Sequence, residues 1–125
     1  MPRDIRLFLE DMLQAAKQIE AYIAGLDQAA FEANRQAADA VLFNLYIIGE
    51  AVRNIPQEVR EQHPKIAWKE INAMRNIIAH IYFGIDLDQV WDTVKNDLSP
   101  LMVNVAEVLE SLGPETPPDQ NNTTN

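Results

Sequence analysis

Residues 74–84 read MRNIIAHIYFG, from Met74 to Gly84. The isoleucines Ile77, Ile78 and Ile81 are the expected apolar contacts of a helix. Among them stand Arg75, Asn76, His80 and Tyr82, which an apolar face does not need. The chain has only two histidines, and one of them is here. Asn76 and His80 are four apart, so on a helix they share a face and can touch. Arg75 flanks that face. His80 follows Arg75 by five positions, about 140° round an ideal helix. One helix cannot easily aim both at a single atom, whereas two copies related by a two-fold axis can converge them in a shared cleft. If these residues form a site, the spacing favours a composite one at a dimer interface.

Outward from this stretch the pattern stays helical. Trp68 to His80 is predicted as one helix, broken by Gly84. Asp86 then caps another, with Asp86-x-x-Gln89 resembling a capping box. Leu87, Val90, Trp91, Val94, Leu98, Leu101, Val105 and Leu109 follow at helical spacing up to Gly113, and Pro100 is expected to kink or split the run. Upstream, Asp4 can cap a helix carrying Ile5, Phe8, Leu9, Met12, Ala16, Ile19 and Ile23, with Gly25 as its stop. A short turn is expected over Asp27–Glu32. A long helix then runs from about Asn34 to Asn54, with Ala37, Val41, Leu45, Ile48 and Val52 inward and Pro56 at its end. Pro56 to Pro64 reads as a one-turn polar segment. No stretch reads as a strand. The expected fold is all-α, an antiparallel bundle of four main helices with short extra helical turns. So much apolar helix surface on a short chain favours a homodimer. Residues 1–113 form the expected domain. The tail PETPPDQNNTTN, residues 114–125, has three prolines and almost nothing apolar, and is expected to be disordered.

At 125 residues and 47% hydrophobic side chains the chain suits a single packed core. No apolar run reaches the roughly 18 residues of a membrane span, and MPRDIRLFLEDML does not read as a signal peptide. Absence of cysteine rules out thiolate metal sites and agrees with a reducing cytoplasm. The Asn-x-Thr matches at Asn121 and Asn122 carry no weight without a secretory route. A net charge of −9 argues against broad non-specific nucleic-acid binding. The charge is uneven: residues 1–50 carry net −4, residues 51–80 net +2 and residues 81–125 net −7. A small basic patch on an acidic body would fit, as would ordinary surface variation.

Histidine and arginine suffice for metal-free cleavage of RNA. His80 can move a proton at the ribose 2′-hydroxyl or the leaving 5′-oxygen. Arg75 can stabilise the pentacoordinate phosphate, and Asn76 can orient the imidazole or hold a phosphate. DNA lacks the 2′-hydroxyl and would be spared. The same residues also fit a core histidine, a surface arginine and a packing tyrosine. Glu50, between Ile47, Ile48 and Ala51, can orient Arg75 or the tyrosine, or face solvent. Trp68 and Trp91 read as packing anchors and His63 as an exposed loop residue. Tyr82-Phe83 fits either base stacking or packing against a neighbour. Asp86, Asp88, Asp92 and Asp97 lack tight metal-ligand spacing beyond one i,i+4 pair, Asp88 and Asp92, and read as a solvated face.

Arg75-Asn76-x-x-x-His80-x-Tyr82 resembles the R-[polar]-x-x-x-H signature of HEPN domains, in the extended form of the HepT-like toxins. NLYIIGEAVRNIP (Asn44 to Pro56) and WKEINAMRNIIAHIYFGIDLDQVWDTVKNDLSPL (Trp68 to Leu101) are similar to the same family, and so is the start of the chain. The resemblance implies a dimeric metal-independent endoribonuclease without cofactor, with Arg75, Asn76 and His80 catalytic. With an acidic body that restrains indiscriminate binding, a structured RNA such as tRNA is the expected substrate. The resemblance further implies a partner, a minimal nucleotidyltransferase antitoxin of the MntA type, that transfers AMP to Tyr82 and so blocks the cleft. A non-catalytic HEPN module that binds nucleotide or RNA and serves as scaffold for the nucleotidyltransferase is the alternative. The intact arginine, histidine and tyrosine positions favour the enzyme.

Overall fold

The computed structural model describes residues 4–113. Six α-helices follow one another: α1 (Ile5–Ile23), α2 (Gln28–Ala33), α3 (Arg35–Arg53), α4 (Gln57–Gln62), α5 (Trp68–Ile81) and α6 (Leu87–Ser111), with a 3-10 turn (Tyr82–Gly84) between the last two. Four of them, α1, α3, α5 and α6, build an all-α antiparallel bundle, and α2 and α4 are the short turns between. The described residues contain no strand. None of their helices is long and apolar enough to cross a membrane. The tail expected to be disordered lies outside the described residues.

Side chains start the helices where the sequence places acceptors. Asp4 accepts from the Arg6 amide at 2.9 Å, Asp27 from Ala30 at 2.8 Å and Asn34 from Ala37 at 3.0 Å. Each satisfies an amide that the first turn of a helix leaves unpaired. Asp86 caps α6 by accepting from the Asp88 amide at 3.0 Å, one position short of the Gln89 contact that a capping box would use. Gly25 and Gly113 end α1 and α6 at φ 78° and 76°, a left-handed turn that costs a residue without Cβ little. Arg6 crosses from the start of α1 to the end of α6 and donates to the Leu112 and Gly113 carbonyls, fastening the two termini of the domain together.

The core lies where α1, α3 and α6 meet. Leu9, Met12, Ala16 and Ile19 of α1, and Ala38, Val41 and Leu42 of α3, are fully buried. Val90, Val94, Leu98 and Val105 close it from α6. Pro100 does not split α6, which runs unbroken past it. The apolar stripe before and after Pro100 packs on the same core, and that burial offsets the one missing backbone hydrogen bond. Phe31 is wholly buried and packs on Trp91 with ring centroids 5.3 Å apart. Trp68 opens α5, buried, and its indole N–H is shared by the Arg60 and His63 carbonyls, both at 3.0 Å. Both tryptophans are packing anchors.

α5 docks on α3, and only a narrow stripe of it is covered. Of the three isoleucines expected to face inward, only Ile78 is buried. Ile77 is 39% and Ile81 54% exposed. A helix packed on one neighbour has one inner stripe, and residues 77 and 81 fall outside it.

Candidate functional site

α3 is the rail on which the site is built. Arg35, Asp39, Tyr46 and Glu50 are spaced four, seven and four apart, which on a helix is a single stripe. α5 and the turn after it bring Arg75 to one end of that stripe and Tyr82 to the other.

At the Arg75 end the two helices come very close. Gly49 of α3 has no side chain there, and Arg75 occupies the space: a Cβ on residue 49 would lie 2.2 Å from Arg75 Cβ and 2.7 Å from Cγ. The arginine stem therefore threads the helix crossing, and its guanidinium emerges among partners on α3. Nε donates to Glu50 Oε2 at 2.6 Å, one Nη to Asn76 Oδ1 at 3.1 Å and the other to Tyr46 Oη at 3.4 Å. The guanidinium also lies 5.1 Å from the centre of the Tyr46 ring, within cation–π range. Glu50 holds the guanidinium more firmly protonated than usual. Only 14% of the Arg75 side chain is exposed. Glu50 thus orients Arg75 rather than standing free, and it also faces Arg53 at 3.6 Å.

His80 lies in the last turn of α5 and is exposed. It is not a core histidine. Among the described residues it has no hydrogen-bond or ion-pair partner. Asn76 shares its face, yet the Asn76 carbonyl oxygen is taken by Arg75 and not by His80. Arg75 and His80 are about 7.5 Å apart along the helix axis and about 140° round it. One chain therefore does not converge them.

Tyr82 sits half-buried at the other end of the stripe. Its hydroxyl donates to Asp39 Oδ1 at 2.7 Å, and the same oxygen is 2.7 Å from an Arg35 Nη. The Arg35 guanidinium lies 5.6 Å from the Tyr82 ring centre and 5.9 Å from that of Phe83. Burial, reinforced by Asp39, raises the Tyr82 phenol above its ordinary range. The Tyr82 hydroxyl, and after it Arg35, hold the Asp39 carboxyl below the usual carboxylate range. Phe83 is 91% exposed beside this group, and Phe43, on the same α3 stripe, is 60% exposed.

Arg75, Asn76, His80, Tyr82 and Glu50 are the residues singled out from the sequence; the structure places Arg75 against Glu50 and Asn76, with His80 apart from them. Asp39, Arg35, Tyr46 and Gly49, which touch them, were not singled out there. The signal available was the four–seven–four spacing of polar residues along a helix of which Glu50 alone was weighed on that stripe. Among the described residues no group of three or more His, Cys, Asp or Glu side chains is gathered as a metal site would need.

This all-helical bundle, with Arg75, Asn76 and His80 along one helix and Tyr82 just beyond it, is a HEPN-type domain. The family model described as "Ribonuclease HepT-like" matches residues 12–108, and the chain belongs to that family. It is 38% identical over 101 residues to "Probable ribonuclease HepT" of Thermococcus cleftensis, covering 81% of this chain and 92% of that one. It is 39% identical over 103 residues to "Putative RNase MJ1380" of Methanocaldococcus jannaschii, covering 82% and 94%. A third relative, "Gamma-glutamylcyclotransferase and putative RNase MJ0434" of the same organism, is 36% identical over 112 residues. This match covers 90% of the chain but only half the length of that protein. No solved structure matches the chain.

Proposed function

We propose that the chain is a cytoplasmic endoribonuclease that cleaves RNA without a metal, the toxin half of a toxin–antitoxin pair of the HEPN and minimal nucleotidyltransferase type. Its family supports the ribonuclease reading. The observation that carries the site is the contrast between Arg75 and His80. Arg75 is locked through Nε by a carboxylate, and its two Nη groups rest on neutral acceptors at 3.1 and 3.4 Å. A phosphate can displace those weaker partners while Glu50 keeps the fork aimed. His80 is exposed and without an internal partner among the described residues, as a proton carrier needs to be.

The two groups act together when a second copy of the chain completes the cleft. Exposed apolar residues around the site support this: Phe43, Ile77 and Ile81 are 60%, 39% and 54% exposed, the kind of surface that a two-fold partner covers. In the homodimer, His80 takes or gives the proton at the 2′-hydroxyl or 5′-oxygen. Arg75 meets the charge on the phosphorane, and Asn76 steadies a phosphate or the imidazole. A structured RNA such as tRNA is the proposed substrate. The antitoxin, an MntA-type nucleotidyltransferase, transfers AMP to Tyr82. The added phosphate and nucleoside then fill the cleft and oppose RNA binding by charge and bulk.

The deciding experiment is cleavage of total cellular RNA by the unmodified protein in excess EDTA, beside His80→Ala and Arg75→Ala. Discrete fragments ending in 2′,3′-cyclic phosphate from the wild type alone are expected. An inactive wild type, with Tyr82 shown by mass spectrometry to be unmodified, would leave a non-catalytic binding module as the better description.

A further inference from the structure

Tyr82 does not stand free as an acceptor of a nucleotide. Its hydroxyl proton already points at a carboxylate of its own chain, 2.7 Å away. That carboxylate is anchored by Arg35 four residues before it on α3, also at 2.7 Å. The ribonuclease chemistry uses neither Asp39 nor Arg35.

We infer that Asp39 is the general base for nucleotidyl transfer to Tyr82, so that the toxin itself carries the group that makes its own inactivation fast. The inference rests on the reading of Tyr82 as the modified residue. In the step, Tyr82 Oη attacks the α-phosphorus of a magnesium-bound nucleoside triphosphate held by the partner enzyme. The Oη–phosphorus bond forms and the bond from that phosphorus to pyrophosphate breaks. The phenolic proton passes to Asp39 and on to solvent, and magnesium pyrophosphate leaves. A neutral phenol is a weak nucleophile, and burial makes this one harder to ionise in advance. A carboxylate in contact with the reacting oxygen removes the need, because the proton leaves as the new bond forms. Kinases place an aspartate on the hydroxyl of their substrate for the same reason. Here the aspartate belongs to the substrate.

Arg35 has two parts in this. Before transfer it holds the carboxylate ionised and fixed. After transfer the hydroxyl proton is gone and a phosphodiester stands beside Asp39. Arg35, already stacked 5.6 Å from the Tyr82 ring centre, is the cation placed to move onto it.

The test uses the full-length chain, an MntA-type nucleotidyltransferase and magnesium ATP, with the mass gain of one AMP as readout. Wild type, Tyr82→Phe, Asp39→Asn and Asp39→Glu are compared from pH 6.5 to 8.5, with circular dichroism to show that each is folded. Asparagine can still accept the phenol hydrogen bond, so it removes the base and keeps the tether. The expected result is modification of wild type and none of Tyr82→Phe. At about pH 7.5, the middle of the range, the rate for Asp39→Asn is about 100-fold below wild type, and Asp39→Glu recovers much of it. The wild-type rate is flat over this range, whereas that of Asp39→Asn climbs about tenfold per pH unit as it comes to depend on free phenolate. A folded Asp39→Asn modified at the wild-type rate, with the wild-type pH profile, would overturn the role of Asp39 and leave Tyr82 as the target. Wild type that gains no AMP, or gains it equally in Tyr82→Phe, would overturn the modification reading and this inference with it.

Discussion

Gly49 is the position where one methyl group should cost the most function for the least loss of fold. The new Cβ of Gly49→Ala would lie 2.2 Å from Arg75 Cβ, 2.7 Å from Cγ and 3.4 Å from Cα. Carbon atoms rest at about 3.5–4.0 Å. The near atom is Cβ, which is fixed to the backbone and cannot turn aside like the end of a side chain. α5 must therefore back away from α3 by roughly 1.3 Å to reach even the lower limit. Overpacking of this kind costs about 1–3 kcal/mol. Alanine is worth about 1 kcal/mol over glycine inside a helix, so the net loss is about 0–2 kcal/mol, or at most roughly 10 °C in Tm. The site suffers more. The 2.6 Å contact from Arg75 Nε to Glu50 opens beyond hydrogen-bonding range, and a displacement of about 1 Å at a catalytic group can cost about 100-fold in rate. The assay pairs thermal melting with RNA cleavage for Gly49→Ala and for a control, Gly84→Ala. Residue 84 has open space for a Cβ and no left-handed φ, so its substitution should leave stability within about 0.5 kcal/mol of wild type. Gly49→Ala melting with the wild type and cleaving RNA at full rate would refute the account of the crossing.

Glu50→Ala should leave Arg75 charged but unaimed, lowering kcat for RNA cleavage by about 10–100-fold with little change in Tm; Glu50→Gln, which can still accept from Nε, should lose less. Asp39 has a lowered carboxyl pKa, so its contribution to stability is complete above the ordinary carboxylate value of about 3.9. It is lost as pH falls through the lowered value, and acid unfolding monitored by circular dichroism should show a shallower acid limb in Asp39→Asn. The Tyr82 phenol, raised first by burial, behaves oppositely. Its contribution is present below the ordinary tyrosine value of about 10 and fades as pH rises through the raised one. An ultraviolet titration should therefore show one late-ionising tyrosine that Tyr82→Phe removes. Phe31→Ala, emptying a fully buried ring site against Trp91, should cost about 3–5 kcal/mol in denaturant unfolding.

The helices and their ends were legible in the sequence because their causes are local. Asp4, Asn34 and Asp86 reach amides two or three residues away, Gly25 and Gly113 supply the left-handed stops, and the apolar steps of three and four mark the buried side of α1, α3 and α6. The motif residues Arg75, Asn76 and His80 were legible as an unusual set on one helix, with Tyr82 just after it. Where local rules pointed elsewhere, burial at a distance prevailed. α6 continues through Pro100 because both of its halves pack on one core. Ile77 and Ile81 face outward because α5 has one close neighbour.

What only the tertiary structure decided is who holds whom. Glu50 is 25 residues from Arg75, and Asp39 is 43 residues from Tyr82; no periodicity connects such pairs. They meet because Gly49 lets α5 lie almost on the backbone of α3, which brings one end of the motif to Glu50 while the turn after α5 delivers the other to Asp39. The sequence by itself determined the kinds of chemical group present and the helices that carry them. The crossing of two helices, set by side-chain volume at a single glycine, decided that one carboxylate aims the arginine and another waits on the tyrosine.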